Sequence, residues 1–259
     1  ATFMLVGIGL LYGEAGTLDM AHLSTTLAAR APWVTLGARA YILLAGLALK
    51  AGLFPLFFWL PASYHTAPIT VSAALAGLLT KVAFYACMRV FVLVFGVGTG
   101  TVTVPGLPPL FALLAAATMI VSVLAAIAQV DVRRLLAFHI VGQVAYLMMG
   151  LALASLLGVA AAIFYTMHTM LVQTGLFLGA GAIARANRGY DLRTAGGLMH
   201  DRPLFAALFA ILALSISGVP PLSGFWAKFL VIDAAFRSTS PWSAWLVVIA
   251  LATGFLTLY

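Results

Sequence analysis

The chain has 259 residues, of which 64% are apolar and 7% charged, with 13 Lys or Arg against 6 Asp or Glu and a net charge of +7. A soluble domain carries about 25% charged residues. With a mean hydropathy of +1.15, these values exclude a soluble globular enzyme, a disordered chain and a disulfide scaffold, and they indicate a polytopic membrane protein.

Eight apolar segments follow in chain order, at 1–12, 37–59, 67–95, 109–130, 135–157, 159–184, 203–230 and 243–259. The expected class is all-α, because a helix satisfies its own backbone in lipid and no ten-residue alternating strands appear. The connections at 13–36, 60–66, 96–108, 131–134, 158, 185–202 and 231–242 are polar or rich in Gly and Pro. The first and last segments are short for a span of about 20 residues, so residues 1–259 read as one transmembrane domain within a longer chain.

Arginines cluster around three connections: Arg133, Arg134, Arg185, Arg188, Arg193 and Arg202 belong to the loops at 60–66, 131–134 and 185–202 or their edges. The positive-inside rule assigns that face to the cytoplasm. No basic run resembles a nucleic-acid patch, so the partners expected are lipid and other membrane subunits. The single Cys87 forms no internal disulfide and excludes a Cys-based metal site within these residues. No cofactor or metal is expected. P-loop, H-E-x-x-H and G-x-S-x-G motifs are missing, which points to a transporter subunit rather than an enzyme.

Two spans carry similar interruptions. The first reads Lys50-Ala-Gly-Leu-Phe-Pro55-Leu-Phe-Phe-Trp59, the second Gly218-Val-Pro220-Pro221-Leu-Ser-Gly-Phe-Trp226-Ala-Lys228. Proline removes an amide donor and clashes with the preceding turn, so each helix is expected to break at Pro55 and at Pro220–Pro221. The segments lie five spans apart. An odd offset reverses direction in the membrane, the mark of an inverted-topology repeat, and paired interrupted spans point to a transport site.

The three lysines, Lys50, Lys81 and Lys228, all fall inside apolar segments, whereas surface cations are always Arg. At 1.5 Å per residue, Lys50 and Lys81 lie near the middle of their spans. A charge there costs about 2.5–3.5 kcal/mol on insertion scales. A buried lysine can give up its proton and a guanidinium cannot, so this usage fits a proton relay. Lys81 and Tyr85 share helical spacing, as do His139, Gln143 and Tyr146 at i, i+4, i+7, and Tyr165, His168, Thr169 and Gln173 on the next span. His139 and His168 add groups that titrate near neutrality, and as a pair on adjacent spans they also fit haem ligation. No carboxylate lies deep in a span, so a counter-charge is expected from elsewhere.

The runs beginning at Lys50 and Gly218, with Thr66-Ala-Pro, Leu78-Leu-Thr-Lys81-Val and Asp131-Val-Arg-Arg-Leu-Leu-Ala-Phe-His139, resemble the antiporter-like subunits shared by Mrp cation/proton antiporters and respiratory complex I. Phe57-Phe-Trp-Leu-Pro-Ala-Ser-Tyr64 and Gly16-Thr-Leu-Asp-Met-Ala-His-Leu-Ser24 favour the Mrp branch, and its D-type subunits, over a complex I subunit. The resemblance implies a multisubunit assembly in the bacterial cytoplasmic membrane that exchanges monovalent cations, Na⁺ among them, for protons. The alternative it implies is a proton-pumping subunit of an NADH-quinone oxidoreductase or a membrane hydrogenase. It also implies protonatable residues along a mid-membrane axis, with Lys50, Lys81 and Lys228 on the matching helices, His168 beside them, and a glutamate on a preceding helix paired with Lys50. Gln173 stands where many relatives have Lys, so a neutral side chain occupies that link.

Overall fold

The computed structural model describes residues 2–30, 33–97, 99, 104, 106–187, 189–194 and 196–258. Among these the chain forms twelve α-helices: α1 (Thr2–Ala15), α2 (Met20–Arg30), α3 (Trp33–Ala51), α4 (Trp59–Tyr64), α5 (Ile69–Met88), α6 (Leu107–Ile127), α7 (Val132–Ala152), α8 (Leu156–Asn187), α9 (Leu198–Asp201), α10 (Pro203–Ser217), α11 (Ser223–Phe236) and α12 (Ser243–Leu256). A π-helical turn at Arg89–Val94 extends α5. Among the described residues, each of the eight apolar segments is largely helical. Four continuous stretches, Ile69–Val94, Leu107–Ile127, Val132–Ala152 and Leu156–Arg185, are long and apolar enough to cross a membrane. A fifth arises if Thr2–Ala15 and Met20–Leu27, bent by 63°, form one broken span.

Several helices reach into stretches expected to be connections. Helix α2 occupies the middle of 13–36, where a polar composition conceals a helical period: Leu23 and Leu27 are buried, with Met20 packed beside them. The chain re-enters a helix there because Asp19 Oδ1 accepts from the Ala21 amide at 3.4 Å. Helix α4 fills most of 60–66. Arg133 and Arg134 belong to the first turn of α7, which starts early because Asp131 caps it, accepting from the Arg133 and Arg134 amides at 2.8 and 3.1 Å. Helix α8 runs past 184, and α11 runs on to Phe236, where Asp233 pairs with Arg237 at 2.9 Å. Arg188 lies outside the described residues.

Both expected breaks are present, at 52–58 and 218–222. They share one geometry. Gly52 (φ 79°) and Gly218 (φ 92°) end the first half-helix in the left-handed region, and a cis proline, Pro55 or Pro221, follows three residues later. L-residues with a Cβ rarely adopt that conformation. The four long spans lie between the two breaks, so the second broken helix runs opposite to the first, as an inverted repeat requires.

A broken helix in lipid must satisfy the backbone groups it frees. At the first break, Thr118 Oγ1 on α6 accepts from the Phe54 amide at 3.0 Å, and Trp59 Nε1 donates to the Leu49 carbonyl at 2.7 Å. Thr118→Val keeps the shape and removes the acceptor. It is expected to destabilise the protein by about 1–3 kcal/mol, the cost of an unsatisfied buried amide, seen as a lower melting temperature in detergent.

Helix α7 is the most enclosed of the long helices and packs against α4, α5, α6, α8 and α11. It carries Gln143 and Tyr146 into the interior. Small residues set the distances around it. A Cβ on Gly150 would meet the Gly158 carbonyl and Ala162, and one on Gly77 of α5 would meet Thr174 and the Met170 carbonyl of α8. One turn after Gly77, that close approach delivers Lys81 to α8. At the basic end, Asp131 and Asp191 form an antiparallel bridge, and the Arg133 guanidinium lies 3.7 Å over the Tyr190 ring. The basic connections at 131–134 and 185–202 therefore lie on one face.

Candidate functional site

The interior of this apolar bundle holds buried polar side chains on α5, α7, α8, α11 and α12. Lys81 is 1% exposed. Its Nζ donates to the Ala76 carbonyl at 2.8 Å and to Gln173 Oε1 on α8. The neutral Gln173 thus meets Lys81 as an acceptor, and its Nε2 is buried with no partner among the described residues, as is Thr80 Oγ1 beside Lys81.

Lys228 is 8% exposed. Its Nζ donates to the Ser217 carbonyl, freed by the second break, at 2.7 Å and reaches Thr257 Oγ1 at 3.4 Å. It also lies 5.4 Å from the Tyr146 ring centroid, within cation–π range. Gly218 is required here twice over, because a Cβ on it would come 2.9 Å from Lys228 Cδ.

From Lys228, Tyr146 on α7 and Tyr165 on α8 lead to His168. Tyr146 and Tyr165 stack with centroids 5.5 Å apart and an interplanar angle of 9°, and Tyr165 meets His168 edge-on at 6.0 Å. Tyr165 OH donates to Gln143 Oε1, and Tyr146 OH donates to the Ala250 carbonyl at 2.6 Å. His168 Nδ1 lies 3.0 Å from Ser223 Oγ. His139 stands apart from this row. It lines a cavity of about 10 Å³, room for one water molecule, with Gln143, Tyr146 and Thr253.

Two residues singled out by spacing lie elsewhere. Tyr85 is 51% exposed, and its hydroxyl accepts from Arg89 at 3.3 Å; one turn beyond Lys81, it faces out of the bundle. Lys50 sits in the last turn of α3, directly before the first break, and is exposed. Pro55, Pro220 and Pro221 are exposed within the breaks. Among the described residues, the ion pairs are Glu14–Arg39, Asp131–Arg133, His200–Asp201 and Asp233–Arg237. The two buried lysines are therefore held by neutral acceptors, which can bind either protonation state.

Ser215, Ser217, Ser223 and Thr257 were not distinguished by sequence, although three of them flank Gly218–Pro221 within an apolar stretch. Side chains that satisfy a helix break are expected at such positions.

The family described as NADH:quinone oxidoreductase/Mrp antiporter, TM, matches residues 1–257. This chain belongs to that family. Among its relatives, the D-type Na(+)/H(+) antiporter protein of Alkalihalophilus pseudofirmus is 42% identical over 255 residues, covering 98% of this chain and 50% of that protein. A chain in the structure of the Mrp complex from Dietzia sp. superposes with a TM-score of 0.87 at 33% identity, covering 99% of this chain and 47% of the other. A chain of respiratory complex I from Thermus thermophilus gives a TM-score of 0.79 at 30% identity, covering 100% of this chain and 54% of the other. The chain spans about half the length of these relatives. Membership of the antiporter-like family agrees with the resemblance carried by the lysine and proline motifs.

Proposed function

We propose that these residues form one transmembrane unit that moves protons within a multisubunit monovalent cation/proton antiporter of the bacterial cytoplasmic membrane, exchanging Na⁺ for H⁺. The observation that carries this reading is the pair of buried lysines, Lys81 and Lys228, each held by neutral acceptors, with Tyr146, Tyr165 and His168 in a row beginning beside Lys228. In this reading a proton reaches Lys50 through water, charge repulsion acts along Lys81 and His168, and a proton leaves near Lys228. The basic end of the bundle faces the cytoplasm. A carboxylate from outside the described residues pairs with Lys50. His139 adds a further protonatable group to the relay, and Gln143 and Gln173 support the row as neutral polar side chains.

The test is pH-gradient-driven cation exchange in vesicles containing the full-length protein and its partners. Lys50→Ala and Lys228→Ala are each expected to abolish exchange. Full exchange in both variants overturns the relay. The likeness to a complex I chain favours a second reading, a proton-pumping subunit of a redox complex. Co-purification with quinone-reducing or hydrogenase subunits, rather than with antiporter subunits, decides for it.

A further inference from the structure

Helix α7 turns His139, Gln143 and Tyr146 to one side, and all three line the cavity of about 10 Å³ between α6, α7 and α12, together with Ser122, Thr253 and Thr257. The hydroxyl protons of this lining are already placed. Ser122 donates to the Met119 carbonyl at 3.0 Å, Tyr146 to that of Ala250 at 2.6 Å, Thr253 to that of Ile249 at 2.8 Å and Thr257 to that of Gly254 at 2.6 Å. Their oxygens remain as acceptors. Gln143 Oε1 accepts from Tyr165 OH, so the Nε2 end of the amide is left to donate. Among the described residues, neither Gln143 Nε2 nor the His139 ring has a protein hydrogen-bond partner. Room for one water centre and a few polar partners is what a buried water requires. Water both donates and accepts, so it serves either tautomer of the ring. A cation suits the space less well: the Lys228 ammonium reaches the same Thr257 oxygen at 3.4 Å, and Gln143 presents N–H groups.

We propose that this cavity is a water site through which Lys228 and His139 exchange a proton, with Thr257 as the shared contact. The Lys228 ammonium gives a proton to Thr257 Oγ1. Thr257 turns its own proton from the Gly254 carbonyl to the water, and the water passes one to the ring. One N–H bond breaks at Lys228 and one forms at His139, so the positive charge moves and its total is unchanged. Lys228 thereby gains a proton partner on α7 besides the row that leads through Tyr146 and Tyr165 to His168. His139 also lines a second cavity, of about 190 Å³, which includes Gln129 near the basic end, so its ring stands between the Lys228 site and that face. The assignment rests on the proposed role of Lys228 in the relay and names the group that takes its proton.

The experiment pairs a high-resolution cryo-electron microscopy map of the full-length protein in its purified assembly with pH-gradient-driven exchange in vesicles. The map is expected to show one peak within hydrogen-bonding distance of the His139 ring and Gln143 Nε2, also in buffer without alkali cations. His139→Gln can hold a water but carries no proton, and it is expected to keep the peak and slow exchange about a hundredfold. Thr257→Val is expected to slow exchange about tenfold, the worth of about one hydrogen bond to a charged group, and Thr257→Ser to recover it. The Thr257 pair decides the matter if His139→Gln does not assemble. A map without the peak, or with a peak that appears only when Na⁺ is present, overturns the water site. Exchange at the parent rate in assembled His139→Gln or Thr257→Val, or no recovery in Thr257→Ser, overturns the link to Lys228. Each of these results leaves the lysine relay standing. Exchange that survives Lys228→Ala overturns the relay and the link together and leaves the water site standing.

Discussion

Lys81→Met is expected to abolish pH-gradient-driven cation exchange, by about a hundredfold or more, while the protein still assembles. Lys81 is 1% exposed and lies between α5 and α8, with its Nζ on the Ala76 carbonyl and Gln173 Oε1. Methionine fills most of the same volume without a proton-binding group. Its structural cost is the loss of the donor to Gln173, about 1–3 kcal/mol for a buried acceptor left unsatisfied. Removing a buried ammonium offsets part of that cost, because an ion taken out of water carries a desolvation penalty. Lys81→Arg is expected to be equally inactive for a different reason. A guanidinium stays protonated throughout the physiological range, so it supplies charge at the site but cannot pass a proton on. The two variants together separate a need for positive charge from a need for exchangeable protons. Exchange rates are measured in vesicles and normalised to assembled protein. If Lys81→Arg retains most of the rate, Lys81 acts as a fixed charge and not as a relay.

The features legible in the sequence were those with a local physical cause. Gly-x-x-Pro at Gly52–Pro55 and Gly218–Pro221 dictates a break wherever it falls in a helix, and both breaks occur there. The stripe of Gln143 and Tyr146 on α7 and of Tyr165, His168 and Gln173 on α8 follows from helical spacing, and all five residues are buried. Spacing alone does not say which side of a helix faces the bundle, and this is why Tyr85, four residues after Lys81, is exposed. Helix α2 was hidden because its polar residues outnumber the few apolar ones that pack, Leu23 and Leu27 among them. The partners of Lys228 were hidden for another reason. The Ser217 carbonyl and Thr257 lie 11 and 29 residues away, and only the packing of α10, α11 and α12 brings them to the ammonium. Serine and threonine are common in membrane helices, so their presence in sequence does not mark out the few that satisfy a break.

Gly224→Ala is expected to be the most damaging single-atom change in the second broken helix. An added Cβ would overlap the Ser215 carbonyl oxygen of α10 and would come 3.0 Å from His168 Nε2. The first obstacle is backbone, and relief requires α10 and α11 to separate at their junction. That movement breaks the Gly224 amide bond to Ser215 Oγ and the contact of Ser223 with His168. It also shifts the Ser217 carbonyl that holds Lys228. Overpacking of this kind costs about 1–3 kcal/mol and at times more; with a backbone obstacle the upper end is expected. The melting temperature in detergent should therefore fall, and exchange per folded molecule should fall as well, because the ring of His168 and the ammonium of Lys228 lose their partners together. Gly9→Ala is the matched control. It lies within α1, and a Cβ there meets nothing within 4 Å. Helix propensity favours alanine over glycine by about 1 kcal/mol, so this variant should be as stable as the parent or slightly more so, with unchanged exchange. A Gly224→Ala protein that melts and transports like Gly9→Ala would show that the α10–α11 junction is not held as closely as its contacts indicate.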